Sequence, residues 1–98
     1  MQKCKIRQLE ASTRDLYEAI LLIDNLEEAT SFFRDLLTEQ EIIEFSRRWQ
    51  AARLLDKKVS YIEISKITCL SSTTIARISR WLKNGCGGYK KMLNKMKK

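Results

Sequence analysis

The chain has 98 residues, a net charge of +7, and neither histidine nor proline. This length fits one domain with a modest core, which gains much stability from oligomerisation. The absence of histidine excludes a Cys/His zinc site and an imidazole general base. Since no nucleophile-and-base pair is evident either, we expect no catalytic residue, no metal and no cofactor.

The hydrophobic residues do not form a membrane segment. No apolar run approaches the ~20 residues that span a bilayer, and the N-terminus has no secretory h-region. These features predict a cytoplasmic protein without a membrane partner.

Helix-start signals divide the chain. In a capping box, a Ser, Thr or Asp side chain and an acid three residues later satisfy free N–H groups at the start of a helix. Four boxes are present, at Ser12–Asp15, Asp24–Glu27, Thr38–Glu41 and Ser60–Glu63. Either Ser71 or Ser72 can cap a further helix, and a last helix follows the three glycines of residues 85–88. Since apolar residues at helical spacing follow each signal, we predict an all-α fold of six helices without strands.

Residues 60–84 have the pattern of a helix-turn-helix, in which two helices cross at a tight turn. Ile64 is placed for burial in the first helix, and Ile75 and Ile78 supply inward-facing residues one turn apart in the second. An ordinary helical hairpin inside a bundle is the alternative.

The predicted turn departs from the usual pattern at two positions. A residue with left-handed backbone, normally glycine, is expected before an apolar plug, and these positions hold Cys69 and Leu70. A non-glycine residue there costs about 1 kcal/mol of strain. Thr68 is also more polar than the usual occupant. A redox role for Cys69 is conceivable, but a buried, inert thiol is the simpler interpretation.

The charge distribution is uneven. Residues 1–63 contain all twelve acidic residues and ten lysines or arginines, a net of −2, whereas residues 64–98 contain nine lysines or arginines and no acid, a net of +9. A helix pair on a surface without carboxylates is the electrostatic footprint of a nucleic-acid-binding protein. The alternative is that these cations only keep a small protein soluble.

Side-chain chemistry indicates which residues would contact double-stranded DNA. Hydroxyl groups at the start of the second helix can reach base edges, and cations can bind phosphates or guanine. The predicted DNA-binding residues are Lys66, Ser71, Ser72, Thr73, Thr74, Arg77, Arg80 and Lys83. For Ser71 and Ser72, N-capping is an equally good interpretation.

Several segments resemble the Trp repressor superfamily, and most closely its YerC/YecD-type branch. They are Phe32–Leu36, Leu36–Thr38, Arg47 with Ala51–Leu55, Ser72–Ser79 and Gly85–Lys90, and the likeness extends over about residues 14–93. The resemblance implies an intertwined homodimer. Dimerisation helices would lie within residues 12–56, the helix-turn-helix within 60–84 and a C-terminal helix within 87–96.

The resemblance also implies a ligand site between the central helix and the reading helix. In tryptophan-responsive members, a threonine and two arginines frame the corepressor, and a glycine and a serine give it room. The matching positions here are Thr38, Arg47, Arg77, Ile78 in place of the glycine and Trp81 in place of the serine. We predict a vestigial pocket that does not bind tryptophan, with Ile78 and Trp81 filling it. A core position for Trp81 on the far side of its helix is the alternative.

The sequence thus predicts a sequence-specific transcriptional regulator, a repressor that acts as a homodimer and does not respond to tryptophan. It identifies no effector. Three alternatives stay open: a DNA-binding accessory subunit of a transposase or recombinase, a sigma-factor-like module, and a helical protein-interaction module.

Overall fold

The computed structural model describes residues 10–97, and within this range the chain forms six α-helices and no strand. The helices are α1 (Ala11–Leu21), α2 (Leu26–Leu36), α3 (Glu39–Asp56), α4 (Tyr61–Thr68), α5 (Ser72–Asn84) and α6 (Gly88–Met96). The prediction of an all-α fold of six helices is therefore confirmed. None of these helices is long and apolar enough to cross a membrane.

The described chain divides into two compact units, one ending at Ile43 and the other beginning at Glu44. The first unit contains α1, α2 and the start of α3. Neither α1 nor α2 has a buried residue, and Leu21, Leu22 and Leu26 are 82%, 77% and 83% exposed. These three large apolar side chains are therefore largely exposed to solvent.

Two helix starts differ from the predicted capping boxes. α1 begins at Ala11, so Ser12 lies inside the helix and does not cap it. α2 is capped by Asn25, whose Oδ1 accepts a hydrogen bond from the Glu28 N–H at 2.8 Å. Asparagine caps a helix as well as aspartate does. This register also lets the Glu28 carboxylate accept from the Asp24 N–H at 3.0 Å, which explains why the cap lies one residue after Asp24.

The capping box of α3 forms as predicted. The Glu41 N–H donates to Thr38 Oγ1 at 3.1 Å, and the Thr38 N–H donates to Glu41 Oε1 at 2.9 Å. The cap of α4 is also confirmed, since Ser60 Oγ accepts from the Glu63 N–H at 3.2 Å. Local side-chain chemistry thus fixes the start of both helices.

The second unit carries the hydrophobic core. Ala51 and Ala52 of α3, Ile64 of α4, and Ile75 and Ile78 of α5 form one buried cluster. The two alanines have little volume, so the larger isoleucines of α4 and α5 can pack close to the α3 backbone. The core therefore holds the helix-turn-helix segment, residues 60–84, against α3.

An aromatic pair joins α3 and α6 beside this core. The Trp49 and Tyr89 rings stack with their centroids 6.2 Å apart and their planes 20° from parallel. Burial raises the pKa of the Tyr89 hydroxyl above its ordinary value of 10.0, and the positive charge of Arg48 opposes this shift.

Candidate nucleic-acid interface

The turn between α4 and α5 contains a residue in left-handed conformation. Cys69 has φ 64° and ψ 16°, and its N–H donates to the Ser65 carbonyl at 2.9 Å. This is the conformation that the sequence pattern required at this position, at a cost of about 1 kcal/mol for a non-glycine residue. The Cys69 thiol is free and exposed, so the expectation of a buried thiol was wrong. The turn lies at the surface directly before α5, so the Cys69 side chain is not covered.

Two hydroxyl groups of α4 secure the residue after Cys69. The buried Thr68 hydroxyl donates to the Ile64 carbonyl at 2.8 Å and accepts from the Leu70 N–H at 3.2 Å. The Ser65 hydroxyl donates to the Leu70 carbonyl at 2.8 Å. The polar character of Thr68 is therefore explained, because its buried hydroxyl is fully used in the turn.

At the start of α5, one hydroxyl group caps the helix and two others are exposed to solvent. Ser71 is the N-cap: its Oγ accepts from the Thr74 N–H at 3.1 Å, and its hydroxyl donates to Thr74 Oγ1 at 3.1 Å. Ser72 and Thr73 are exposed, and their hydroxyls make no hydrogen bond to another described residue. The first turn of α5 contains no acidic residue. The exposed end of the helix thus offers hydroxyl and N–H donors without a repelling carboxylate.

The predicted phosphate-binding cations share the surface of this unit. Lys66 lies in the last turn of α4, and Arg77, Arg80 and Lys83 recur every three residues along α5. All four are exposed. The ion pairs found within residues 10–97 join Arg48 to Glu44 and Lys97 to Asp56, so none of the four is neutralised by a described carboxylate.

A cavity of about 270 Å³ lies between α3 and α5. Its lining residues are Glu44, Arg47, Arg48, Cys69, Leu70, Ser71, Thr74, Arg77, Ile78 and Trp81. Four of the five residues that the resemblance assigned to a ligand pocket are therefore brought together. The fifth, Thr38, belongs to the first unit, where it caps α3.

The side chains at the cavity differ in burial. Ile78 is 1% exposed and belongs to the core, whereas Trp81 is 48% exposed. Trp81 is thus not an ordinary core residue. A cavity of this volume remains beside both side chains, so they narrow the space without filling it completely.

The cavity is rich in positive charge. Arg48 pairs with Glu44 at 2.6 Å and lies 5.9 Å from the centre of the Phe45 ring. Arg47 and Arg77 make no ion pair with a described residue. Sequence reasoning did not place Glu44 and Arg48 at the cavity; their spacing of four residues puts both side chains on the same face of α3.

Comparisons with known proteins agree with this geometry. The family model for the Trp repressor protein matches residues 11–97. The protein YerC of Bacillus subtilis, itself uncharacterized, is 36% identical over 97 residues, which cover 99% of this chain and 91% of YerC. The crystal structure of a TrpR-like protein from Eubacterium eligens has a TM-score of 0.85 and 33% identity, with coverage of 89% of this chain and 90% of that one. A candidate Trp repressor from Staphylococcus aureus has a TM-score of 0.85 and 35% identity, with coverage of 91% and 89%.

Proposed function

Because the chain belongs to the Trp repressor family, we propose that it is a sequence-specific transcriptional repressor that binds double-stranded DNA. The family consists of helical DNA-binding regulators rather than enzymes. The observation that carries the proposal is the exposed α4–α5 surface, where free hydroxyls and four unpaired cations occur together without an acidic residue in the first turn of α5.

The start of α5 is the element proposed to read bases. In major-groove docking, the N-terminal residues of the recognition helix lie against base edges. The Ser72 and Thr73 hydroxyls can donate to or accept from a base, and the Thr73 methyl can contact a thymine methyl. The free N–H groups and the positive end of the helix dipole favour a nearby phosphate. Lys66 and three cations of α5, namely Arg77, Arg80 and Lys83, would add phosphate contacts that orient the helix.

We further propose a homodimer. The exposed leucines around the end of α1 and the start of α2, namely Leu21, Leu22 and Leu26, support it, because a second copy can bury them. A two-fold dimer presents two α5 helices, and such dimers bind half-sites about 34–36 Å apart, one turn of DNA. Sedimentation equilibrium should give twice the mass of the chain, and replacing Leu22 and Leu26 by glutamate should give the mass of one chain. A wild-type protein that sediments as one chain would contradict the dimer.

We propose that the cavity between α3 and α5 is a vestigial corepressor site that does not bind tryptophan. Support comes from Ile78, whose branched side chain occupies the position of a glycine in tryptophan-responsive members, and from the Trp81 indole at the cavity wall. Isothermal titration with L-tryptophan should show no binding at micromolar concentration, and DNA affinity should not change when tryptophan is added. An increase in DNA affinity with tryptophan would overturn this part of the proposal.

Selection from a random pool of duplex DNA tests the main proposal. We expect enrichment of a palindrome with a fixed half-site spacing, because a symmetric dimer reads two copies of one sequence. A pool that stays random after several rounds, although the protein retards DNA at low salt, would indicate sequence-blind binding. Failure to retard any duplex at low salt would refute DNA binding altogether.

A further inference from the structure

Leu70 is the one turn residue whose two backbone groups are both bound by side chains of α4. Its N–H donates to the Thr68 hydroxyl and its carbonyl accepts from the Ser65 hydroxyl. We call these two hydroxyls and the Leu70 backbone the turn clasp. The clasp lies between the last turn of α4 and the N-cap of α5, so it fixes the path of the chain into α5.

The clasp lies next to a residue with left-handed backbone. Cys69 is in the left-handed region, which disfavours any residue with a Cβ. Glycine at this position would hold the turn without strain. Here the chain has a Cβ at residue 69 and must hold the conformation by contacts on either side, namely the Cys69 N–H to the Ser65 carbonyl and the two clasp hydroxyls.

The position of Leu70 affects where Ser72 and Thr73, the residues proposed to contact bases, lie. Its side chain packs against the core, and the next residue, Ser71, caps α5. Ser72 and Thr73 follow directly, so a shift of Leu70 moves both hydroxyls. Short hydroxyl side chains tolerate little displacement, because a hydrogen bond weakens steeply outside its distance and angle limits. Long lysine and arginine side chains can follow a phosphate over a larger distance.

We propose that Ser65 and Thr68 are positioning residues for base recognition: through Leu70, they set the register at which α5 meets the DNA groove. This inference rests on the proposed function. It assigns specificity to two residues whose hydroxyls bind backbone groups of the protein; Thr68 is buried and Ser65 is half-buried. Loss of the clasp should therefore lower discrimination between DNA sequences while leaving phosphate binding intact.

The test compares Thr68→Val, which removes the hydroxyl at nearly constant shape, with Thr68→Ser, which keeps it. Affinities are measured by fluorescence anisotropy for a duplex enriched from a random pool and for a scrambled duplex of the same composition, at a temperature where circular dichroism shows folded protein. We expect Thr68→Val to reduce the ratio of the two affinities about tenfold, with the salt dependence unchanged and the Leu70 amide less protected from hydrogen exchange. Thr68→Ser should match the wild type.

A second pair of variants guards against a folding defect. Ser65→Ala removes the other half of the clasp and should lower discrimination in the same direction. Cys69→Gly relieves the strain, so Thr68→Val should cost less discrimination in that background than in the wild type. If Thr68→Val and Ser65→Ala lose the hydrogen-exchange protection of the Leu70 amide but discriminate between the duplexes as well as the wild type does, the positioning role of the clasp is refuted. The proposed DNA-binding function would not be affected by that result. A wild type that prefers no duplex would overturn the proposed function and, with it, this inference.

Discussion

Replacing Lys66 by glutamine should weaken DNA binding and reduce the salt dependence of the affinity by an amount that can be calculated. Lys66 is exposed in the last turn of α4 and has no described carboxylate partner. Lys95 provides a matched control, because it is also an exposed lysine in the last turn of a helix, but in α6. The two variants lose the same charge from equivalent helical positions.

The magnitude follows from the cations on the α4–α5 surface. Each phosphate neutralised contributes about −0.9 to the slope of log affinity against log salt. Four cations in each chain of a dimer give about eight contacts and a slope of about −7, so affinity should fall roughly 10⁴-fold between 50 and 200 mM salt. Lys66→Gln removes two contacts from the dimer, which should bring the slope to about −5.

Fluorescence anisotropy with a labelled duplex at several salt concentrations measures the slope. Lys66→Gln should lower the affinity for the enriched duplex and for the scrambled duplex by the same factor, because phosphates carry no sequence information. Lys95→Gln should leave the slope near that of the wild type. Equal slopes for the wild type and Lys66→Gln, or an equal reduction in both variants, would refute the assignment of the phosphate surface to α4 and α5.

Three further outcomes are expected. Thr73→Ala should relax sequence discrimination by about 1 kcal/mol or more, with the salt slope unchanged, in a comparison of enriched and scrambled duplexes; a loss equal for both duplexes would count against base contact. Ile75→Ala should lower the free energy of unfolding in urea by about 2–5 kcal/mol because Ile75 is fully buried, whereas Ile67→Ala, at a half-exposed position, should cost much less. The folded protein binds the Tyr89 proton more tightly than the unfolded chain, so the unfolding free energy should fall as pH rises above about 10, and Tyr89→Phe should remove this part of the slope.

The helices were predictable because their starts depend on local chemistry. Thr38 and Ser60 cap their helices as the sequence indicated. The errors at Ser12 and Asp24 occurred where neighbouring residues offered an alternative start, and for α2 a second hydrogen bond favoured Asn25 by one residue. Adjacent polar residues compete for one cap within a single turn, and sequence spacing alone does not rank them.

The candidate interface was only partly predictable. The sequence indicated cations and hydroxyls at the correct helix, but it offered Ser71 and Ser72 as equal caps. Hydrogen bonds assign the cap to Ser71 and leave Ser72 exposed. The hydrogen bond between the Thr68 hydroxyl and the Leu70 N–H was not predicted either, because it depends on the path of the chain after α4.

The sequence by itself determined the helices and the position of the turn, because each depends on residues within a few positions of one another. It also determined the separation of charge, because that follows from composition along the chain. The family resemblance implied that Arg47 and Arg77, thirty positions apart, lie at one pocket with Trp81, and the tertiary structure brings the three residues together. Only the tertiary structure decided that Cys69 is exposed while Thr68 is buried. Such properties depend on how α3, α4 and α5 pack around Ile64 and Ile75, and packing brings together residues whose distance along the chain carries no sign of their contact.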